Sequence, residues 1–219
     1  VRHHPIAPDG YLYLAVGLAV TLACLFLWPW LALLPAAITL FIAFFFRNPQ
    51  RTGPVLPDAL LSPADGKVMR ITPSAGAETR SAASVRITIF LSLFNVHINR
   101  APMSGSITAC VYRPGRFLPA FKSHASDLNE CNTLTLEHAG RVVLVRQITG
   151  FLARRIVCDV KPGDRLEQRQ RFGMIRFGSC TELVCPADVT IQIKPGDTVR
   201  AGQTVLAIFK QEHEVSHVS

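Results

Sequence analysis

From Tyr11 to Phe46 the chain carries no charged residue. One membrane-crossing helix takes about 20 apolar residues. The run is too long for one helix and just long enough for two short ones. Pro29 stands near its middle, between Trp28 and Trp30. Proline breaks a helix, and tryptophan suits a membrane interface. The pattern predicts a helical hairpin, Tyr11 to Leu27 and Leu31 to Phe46. Each arm is at the short end for a full crossing, so a hairpin that only inserts stays open beside one that spans. A buried hairpin in a soluble core is the alternative, and so long an uncharged run argues against it. Arg2 precedes the run, and Arg47 and Arg51 follow it. Basic flanks put both ends on the cytoplasmic side. No small-residue cleavage site precedes the arginines, and the apolar part is too long for a secretory signal.

The pattern then changes period. Residues 48–61 are proline-rich and predict a linker. Beyond Ser62, short β-branched runs are bounded by turn residues, which predicts strands at Arg86–Ser92, Thr133–His138, Arg141–Ile148 and Arg154–Val160. His138-Ala139-Gly140-Arg141 has the form of a hairpin turn. No long helical period follows Phe46. Three parts result: a membrane-associated hairpin over 1–47, a linker over 48–61 and a mainly β domain over 62–219.

The β part echoes itself. VKPGDRLEQRQRFGMI, starting at Val160, aligns with IKPGDTVRAGQTVLAI, starting at Ile193, at a constant offset of 33. In each copy Lys-Pro-Gly-Asp is a turn, where proline fixes φ and glycine supplies a positive φ. A second echo joins SPADGKV (Ser62 to Val68), APMSGSI (Ala101 to Ile107) and CPADVTI (Cys185 to Ile191). This grammar resembles biotinyl/lipoyl modules, which implies a barrel-sandwich hybrid of short strands. It supports a fold, not an activity.

Composition changes the picture in two places. The formal net charge is +8, but the arginines form no basic stripe interleaved with aromatics, which argues against nucleic acid. Beside a membrane segment, anionic lipid headgroups are the better partner. The six cysteines, Cys24, Cys110, Cys131, Cys158, Cys180 and Cys185, include no CxxC pair and no zinc spacing. They predict reduced thiols in a cytosolic domain and no metal site.

Candidate chemistry lies in three segments: SPADGKV, FLSLFNVHINRAPMSG (Phe90 to Gly105) and RFGMIRFGS (Arg171 to Ser179). The last ends in Gly178-Ser179. Ser179 Oγ can reach the Gly178 carbonyl, and glycine has no Cβ to obstruct a strained approach. Serine needs a base to become nucleophilic. His97, after the apolar run RITIFLSLF, is the best candidate, with Asp65 to orient the ring and stabilise its charged form. From about Phe46 to Lys210 these segments together resemble phosphatidylserine decarboxylase, a self-cleaving pyruvoyl enzyme, in its short-chain class.

The resemblance implies a definite sequence of events. Ser179 attacks Gly178 to give an ester, and β-elimination cuts the chain after Gly178. The dehydroalanine left at 179 loses ammonia and becomes a pyruvoyl group. The products are a β chain of 1–178 and an α chain of 179–219, which stay partners. The triad is Asp65, His97 and Ser179. The pyruvoyl made from Ser179 then forms a Schiff base with the amine of phosphatidylserine and draws off the electrons that CO2 leaves behind, as pyridoxal phosphate does. His97 is also the expected acid that protonates the carbanion. Phosphatidylethanolamine is the product, the inner membrane the location, and the cytoplasm the side of the catalytic domain. A homo-oligomer is left open.

Two departures stand out. Long-chain members have a second histidine where this chain has Arg100. Many short-chain members have arginine after the serine; here it is Cys180, placed in sequence to add reversibly to a neighbouring ketone. Arg171 and Arg176 are the expected replacements as phosphate contacts. The polar stretch Gly115 to Asn132 contributes His124, Asn129 and Glu130 as weaker candidates, and His138 reads as a turn residue. His3, His4, His213 and His217 lie near the termini and read as solvated. The rival function is a membrane-anchored carrier or adaptor. A carrier needs a lysine at a hairpin tip, and none of Lys67, Lys161 or Lys194 has that setting. A decarboxylase of archaetidylserine is the rival within the same chemistry.

Overall fold

The computed structural model describes residues 4–119, 125–150, 155–176 and 179–210. Helix α1 (Tyr11–Leu27) and helix α2 (Leu33–Phe45) form the expected hairpin. Trp28 is extended, with φ −160° and ψ 120°, and Pro29–Ala32 makes a short 3-10 turn before α2. Proline lacks the N–H that would continue α1, so the chain reverses there. Pro8–Leu27 is long and apolar enough to cross a membrane, and Pro29–Phe45 is a shorter apolar helix. No residue of α1 is buried, and Phe26 and Trp30 are among the most exposed side chains. The two arms meet at Gly17, where a Cβ would come within 2.5 Å of Thr39 Oγ1. Small residues let apolar helices approach this closely.

The foot of the hairpin is different. Phe45 and Phe46 are buried, in a cluster with Ala7, Val96, Ile98 and Met174. The hairpin is therefore packed into the domain at its base and apolar everywhere above it.

The rest is mainly β, as expected. Strands β1 (Ala59–Leu61), β2 (Gly66–Ala75), β3 (Ala83–Leu91), β4 (Ile98–Arg100) and β5 (Gly105–Arg113) come first. They are followed by β6 (Cys131–His138), β7 (Arg141–Ile148), β8 (Arg155–Cys158), β9 (Arg165–Leu166) and β10 (Arg171–Arg176). The last four are β11 (Ser179–Pro186), β12 (Val189–Ile191), β13 (Thr198–Val199) and β14 (Val205–Phe209). Eight of them form one sheet in the order β13-β2-β3-β11-β7-β6-β5-β9. Two smaller sheets, β1-β14-β12 and β4-β10-β8, complete the domain. This strand order replaces the looser lipoyl-like analogy as the description of the fold.

Period-2 alternation builds the core. Ile87, Ile89, Leu134, Leu136, Val143, Val145 and Leu183 share one buried cluster, and each such side chain contributes about 1.5–3 kcal/mol when fully buried. The expected turn after His138 is present, with Ala139 and Gly140 both at positive φ, 48° and 77°. Two such residues match the right-handed twist of the flanking strands. The predicted linker ends in β1, which pairs with β14.

The internal echo is a structural repeat. The turn Lys161–Asp164 docks on β5, and Lys194–Asp197 docks on β2. In both, the lysine N–H donates to the aspartate Oδ2 at 2.9 Å. Gly163 and Gly196 have φ 95° and 99°. Ile107 N donates to Asp164 O and Val68 N to Asp197 O, each at 2.9 Å. The bulges agree too, between Val68 and Arg70 in one copy and Ile107 and Ala109 in the other. The two copies therefore close the two edges of the eight-stranded sheet in the same way.

Candidate active site

Ser179 is the first residue of β11, in the middle of the large sheet, directly opposite Leu91 of β3. It is wholly buried, and its hydroxyl has no hydrogen-bond partner among the described residues. A buried hydroxyl left unpaired costs about 1–3 kcal/mol, so the fold holds a reactive-group candidate at a penalty. Gly178, the expected cleavage partner, lies outside the described residues, as do His3, His124, His213 and His217.

His97 follows from the same strand pair. After Leu91 the chain makes a tight turn, in which Ser92 N and Oγ both donate to Asn95 Oδ1, at 2.9 and 2.7 Å. The turn delivers His97 to the start of β4, wholly buried, its ring 4.4 Å from that of Phe45. Nδ1 donates to Asn95 O at 3.0 Å. A carbonyl can only accept, so the proton sits on Nδ1 and Nε2 carries the lone pair. Burial lowers the pKa to about 4, against the Asn95 carbonyl and with help from Arg47. The ring is neutral at pH 7 and competent as a base.

Asp65 ends the turn after β1. Oδ1 accepts from Ala201 N at 2.7 Å and Oδ2 from Arg51 at 2.8 Å. The repeat separates these two bonds. Ser104 takes the place of Asp65 in the other copy, and its Oγ accepts from Gln168 N at 3.0 Å. The backbone bond thus belongs to the fold, while the ion pair with Arg51 is special to Asp65. Burial raises its pKa, opposed by the Ala201 N–H and by Arg51, Arg47 and Arg200. Arg47, just past α2, acts electrostatically on both Asp65 and His97.

A buried polar chain connects these elements, and sequence reasoning missed it. Asn99 Nδ2 donates to Thr181 Oγ1 at 3.1 Å and to Pro63 O at 3.3 Å. Gln147 Nε2 donates to Asn99 Oδ1, and Asn132 Nδ2 to Gln147 Oε1, each at 3.0 Å. Asn99 thus touches the SPADG turn, β11 and β7 at once. The signal was present in the alternation. Gln147 continues the core-facing row of Val143 and Val145, and Thr181 continues that of Leu183 and Cys185. A polar residue in such a row needs a partner.

The remaining candidates have other roles. Asn129 is buried and joins Leu118 to Thr149 through three hydrogen bonds of 2.7 to 2.9 Å. Glu130 supports the same segment through its backbone, its N–H donating to Arg116 O at 3.0 Å. Arg171 and Arg176 are both bound to Asp9, at 2.8 and 3.0 Å. One carboxylate thus holds both guanidiniums in place. The expected approach of Cys180 to the ketone is corrected. Its side chain points to the opposite side of β11 from Ser179 and packs with Cys131, Ile148 and Phe90. Burial holds its thiol well above the usual range. All six cysteines are free thiols.

Residues 38–207 match the family model described as phosphatidylserine decarboxylase. The phosphatidylserine decarboxylase proenzyme of Carboxydothermus hydrogenoformans is 47% identical over 204 residues, covering 92% of this chain and 95% of that protein. The proenzymes of Syntrophus aciditrophicus and Geotalea uraniireducens are each 43% identical. The alignments cover 93% and 95% of this chain and 97% and 98% of theirs. A buried Ser179 next to Gly178, the neutral His97 and this likeness over nearly the whole length agree: the chain belongs to the phosphatidylserine decarboxylase family.

Proposed function

We propose that this chain is a self-processing decarboxylase that converts phosphatidylserine to phosphatidylethanolamine and CO2 in phospholipid biosynthesis. The observation that carries the proposal is the buried, unpartnered hydroxyl of Ser179, held in the middle of the sheet directly after a glycine. A hydroxyl spent on structure would be hydrogen-bonded.

In maturation His97 Nε2 accepts the Ser179 proton as Oγ adds to the Gly178 carbonyl. The Gly178–Ser179 amide bond breaks and an ester bond forms. Loss of a Cα proton from residue 179 then expels the Gly178 carboxylate. The dehydroalanine left at 179 takes up water and releases ammonia. Asp65 offsets the positive charge of Arg47, the cation that acts on the imidazole, so that His97 can take up a proton. The new α chain, 179–219, remains bound to the β chain, 1–178, because β11 is paired along its length with β3 and over five residues with β7.

The surroundings of position 179 fit a pyruvoyl group: the side chain is wholly buried and forms no bond among the described residues that conversion would break. That group supplies an electron-accepting carbonyl for loss of CO2 from an α-amino carboxylate. The protonated Nε2 of His97 then returns a proton to the carbon that CO2 leaves. The exposed apolar hairpin supports attachment to the cytoplasmic face of the inner membrane, where anionic lipids attract a chain of net charge +8. Incubation of the purified protein with phosphatidylserine vesicles tests the reading. Equimolar phosphatidylethanolamine and CO2 are expected; a folded protein that forms neither overturns it.

A further inference from the structure

A cavity of about 1240 Å3 opens at the foot of the hairpin, between the N-terminal segment, the proline-rich linker and the residues joining β9 to β10. The guanidiniums of Arg51, Arg100, Arg169 and Arg171 line it. Arg51 is paired with Asp65, and Arg171 with Asp9 and Asp159. Arg100 and Arg169 have no carboxylate at ion-pair distance among the described residues. Arg100 donates to Asn48 Oδ1 and to the carbonyls of Pro49 and Arg169, at 2.8 to 3.0 Å. Arg169 donates to the carbonyls of Gly202, Gly53 and Pro54. Neutral oxygens orient these cations without cancelling their charge, and a buried charge that lacks a counter-charge is costly. Burial, reinforced by Arg51 and Arg171 and opposed by Asp65, lowers Arg100 to about 10. The ε N–H groups of Arg51 and Arg171 also lack an acceptor among the described residues.

The internal repeat makes Arg169 more telling. Its N–H donates to Ala101 O, and in the other copy Gly202 N donates to Ser62 O. The two residues are equivalent, and both are left-handed, at φ 74° and 66°. Glycine takes this conformation freely, whereas another residue loses about 1 kcal/mol or more. The fold accepts that strain at the one copy that faces the cavity, where the side chain is a cation.

The hairpin fixes what lies opposite. Its arms are exposed and apolar, and α1, at 1.5 Å per residue, rises about 25 Å above the foot. When the arms are in a bilayer, the headgroup phosphates lie at the level of the cavity. We infer that this cavity binds the phosphodiester of an anionic glycerophospholipid, with Arg100 and Arg169 supplying the positive charge. Asp9 and Asp159 are already neutralised by arginine, and Glu167, the remaining carboxylate of the lining, is exposed. Binding here does not depend on the decarboxylation reading, since a lipid that lacks serine carries the same diester.

The test uses the detergent-solubilised full chain, both as purified and as the Ser179→Ala variant. Calorimetry measures binding of glycerophosphoglycerol, a soluble headgroup diester, and of inorganic phosphate at matched ionic strength. Flotation with phosphatidylglycerol vesicles measures the lipid itself. Arg100→Gln removes a cation from the cavity. Gln50→Glu adds a carboxylate to its lining and leaves the guanidinium bonds intact, so it serves even if Arg100→Gln fails to fold. Arg80→Gln removes the same charge from an exposed surface pair with Glu137. Diester affinity is expected to fall at least about tenfold in Arg100→Gln and Gln50→Glu, and less than about twofold in Arg80→Gln. Equal losses in all three variants would reduce the effect to bulk charge and overturn the site. Binding of inorganic phosphate without the diester would overturn its assignment to lipid.

Discussion

The side-chain amide of Asn99 donates to the hydroxyl of Thr181 at 3.1 Å. Thr181 is two residues beyond Ser179, and Asn99 two beyond His97, so this bond ties together the strands that carry the proposed nucleophile and its base. The same amide reaches the SPADG turn through Pro63 O, and its oxygen is held by Gln147. One wholly buried residue thus sets the relative position of three segments far apart in sequence.

Replacing Asn99 by leucine would leave one buried N–H of Gln147 without its acceptor and remove the anchor of the SPADG turn. An unsatisfied buried group costs about 1–3 kcal/mol. Asn99→Leu should unfold at lower denaturant concentration by that amount, and pulse-labelled chains should be cut more slowly. Wild-type stability together with wild-type cleavage would show that the bond chain is incidental.

The pH dependence follows from His97. Its folded pKa, about 4, is below the ordinary 6.5. Between these values the unfolded chain binds the proton more readily. The contribution is complete above pH 6.5 and is lost as pH falls toward 4, on the order of 3 kcal/mol in all. Denaturant titrations at pH 7 and pH 4.5 should show most of this loss, and His97→Gln should remove most of the difference. Maturation should be nearly independent of pH from 6 to 8. A midpoint of maturation near 6.5 would mean that the imidazole is not held as described.

Asp65→Ser copies the repeat, where Ser104 makes the equivalent backbone bond. The variant retains an acceptor for Ala201 N–H and loses only the ion pair with Arg51. It should fold with native-like circular dichroism yet mature at least about tenfold more slowly, in the range a positioned charge contributes. Full-rate cleavage in Asp65→Ser would reduce Asp65 to a structural residue.

Much of the fold was legible because it is written in local periods. The uncharged run with Pro29 marked the hairpin, alternation marked β3, β6 and β7, and the two Lys-Pro-Gly-Asp turns marked the internal repeat. Gly178-Ser179, His97 and Asp65 were legible as motifs. What stayed hidden depends on distant pairings. Nothing local places Asn99 against Thr181 and Gln147, or Phe45 of the apolar hairpin against the His97 ring. Cys180 shows the opposite failure. Adjacent in sequence to Ser179, it faces the other side of the strand, since successive side chains alternate.

That placement has a measurable consequence. Burial raises the Cys180 thiol and hides it behind Ile148 and Phe90, so iodoacetamide at pH 8 should leave it unlabelled in the folded protein. Decarboxylation should survive the treatment. Modification of Cys180 that proceeds in step with loss of activity would contradict the assigned face.

The central claim is that Ser179 cuts its own chain. Intact-mass spectrometry of the purified protein tests it most directly. Two polypeptides are predicted, 1–178 and 179–219, the second beginning with a ketone in place of an amine. Ser179→Ala should remain one chain close to the 24.0 kDa of the full sequence. A wild-type protein that stays at 24.0 kDa and still decarboxylates phosphatidylserine at full rate would contradict the account.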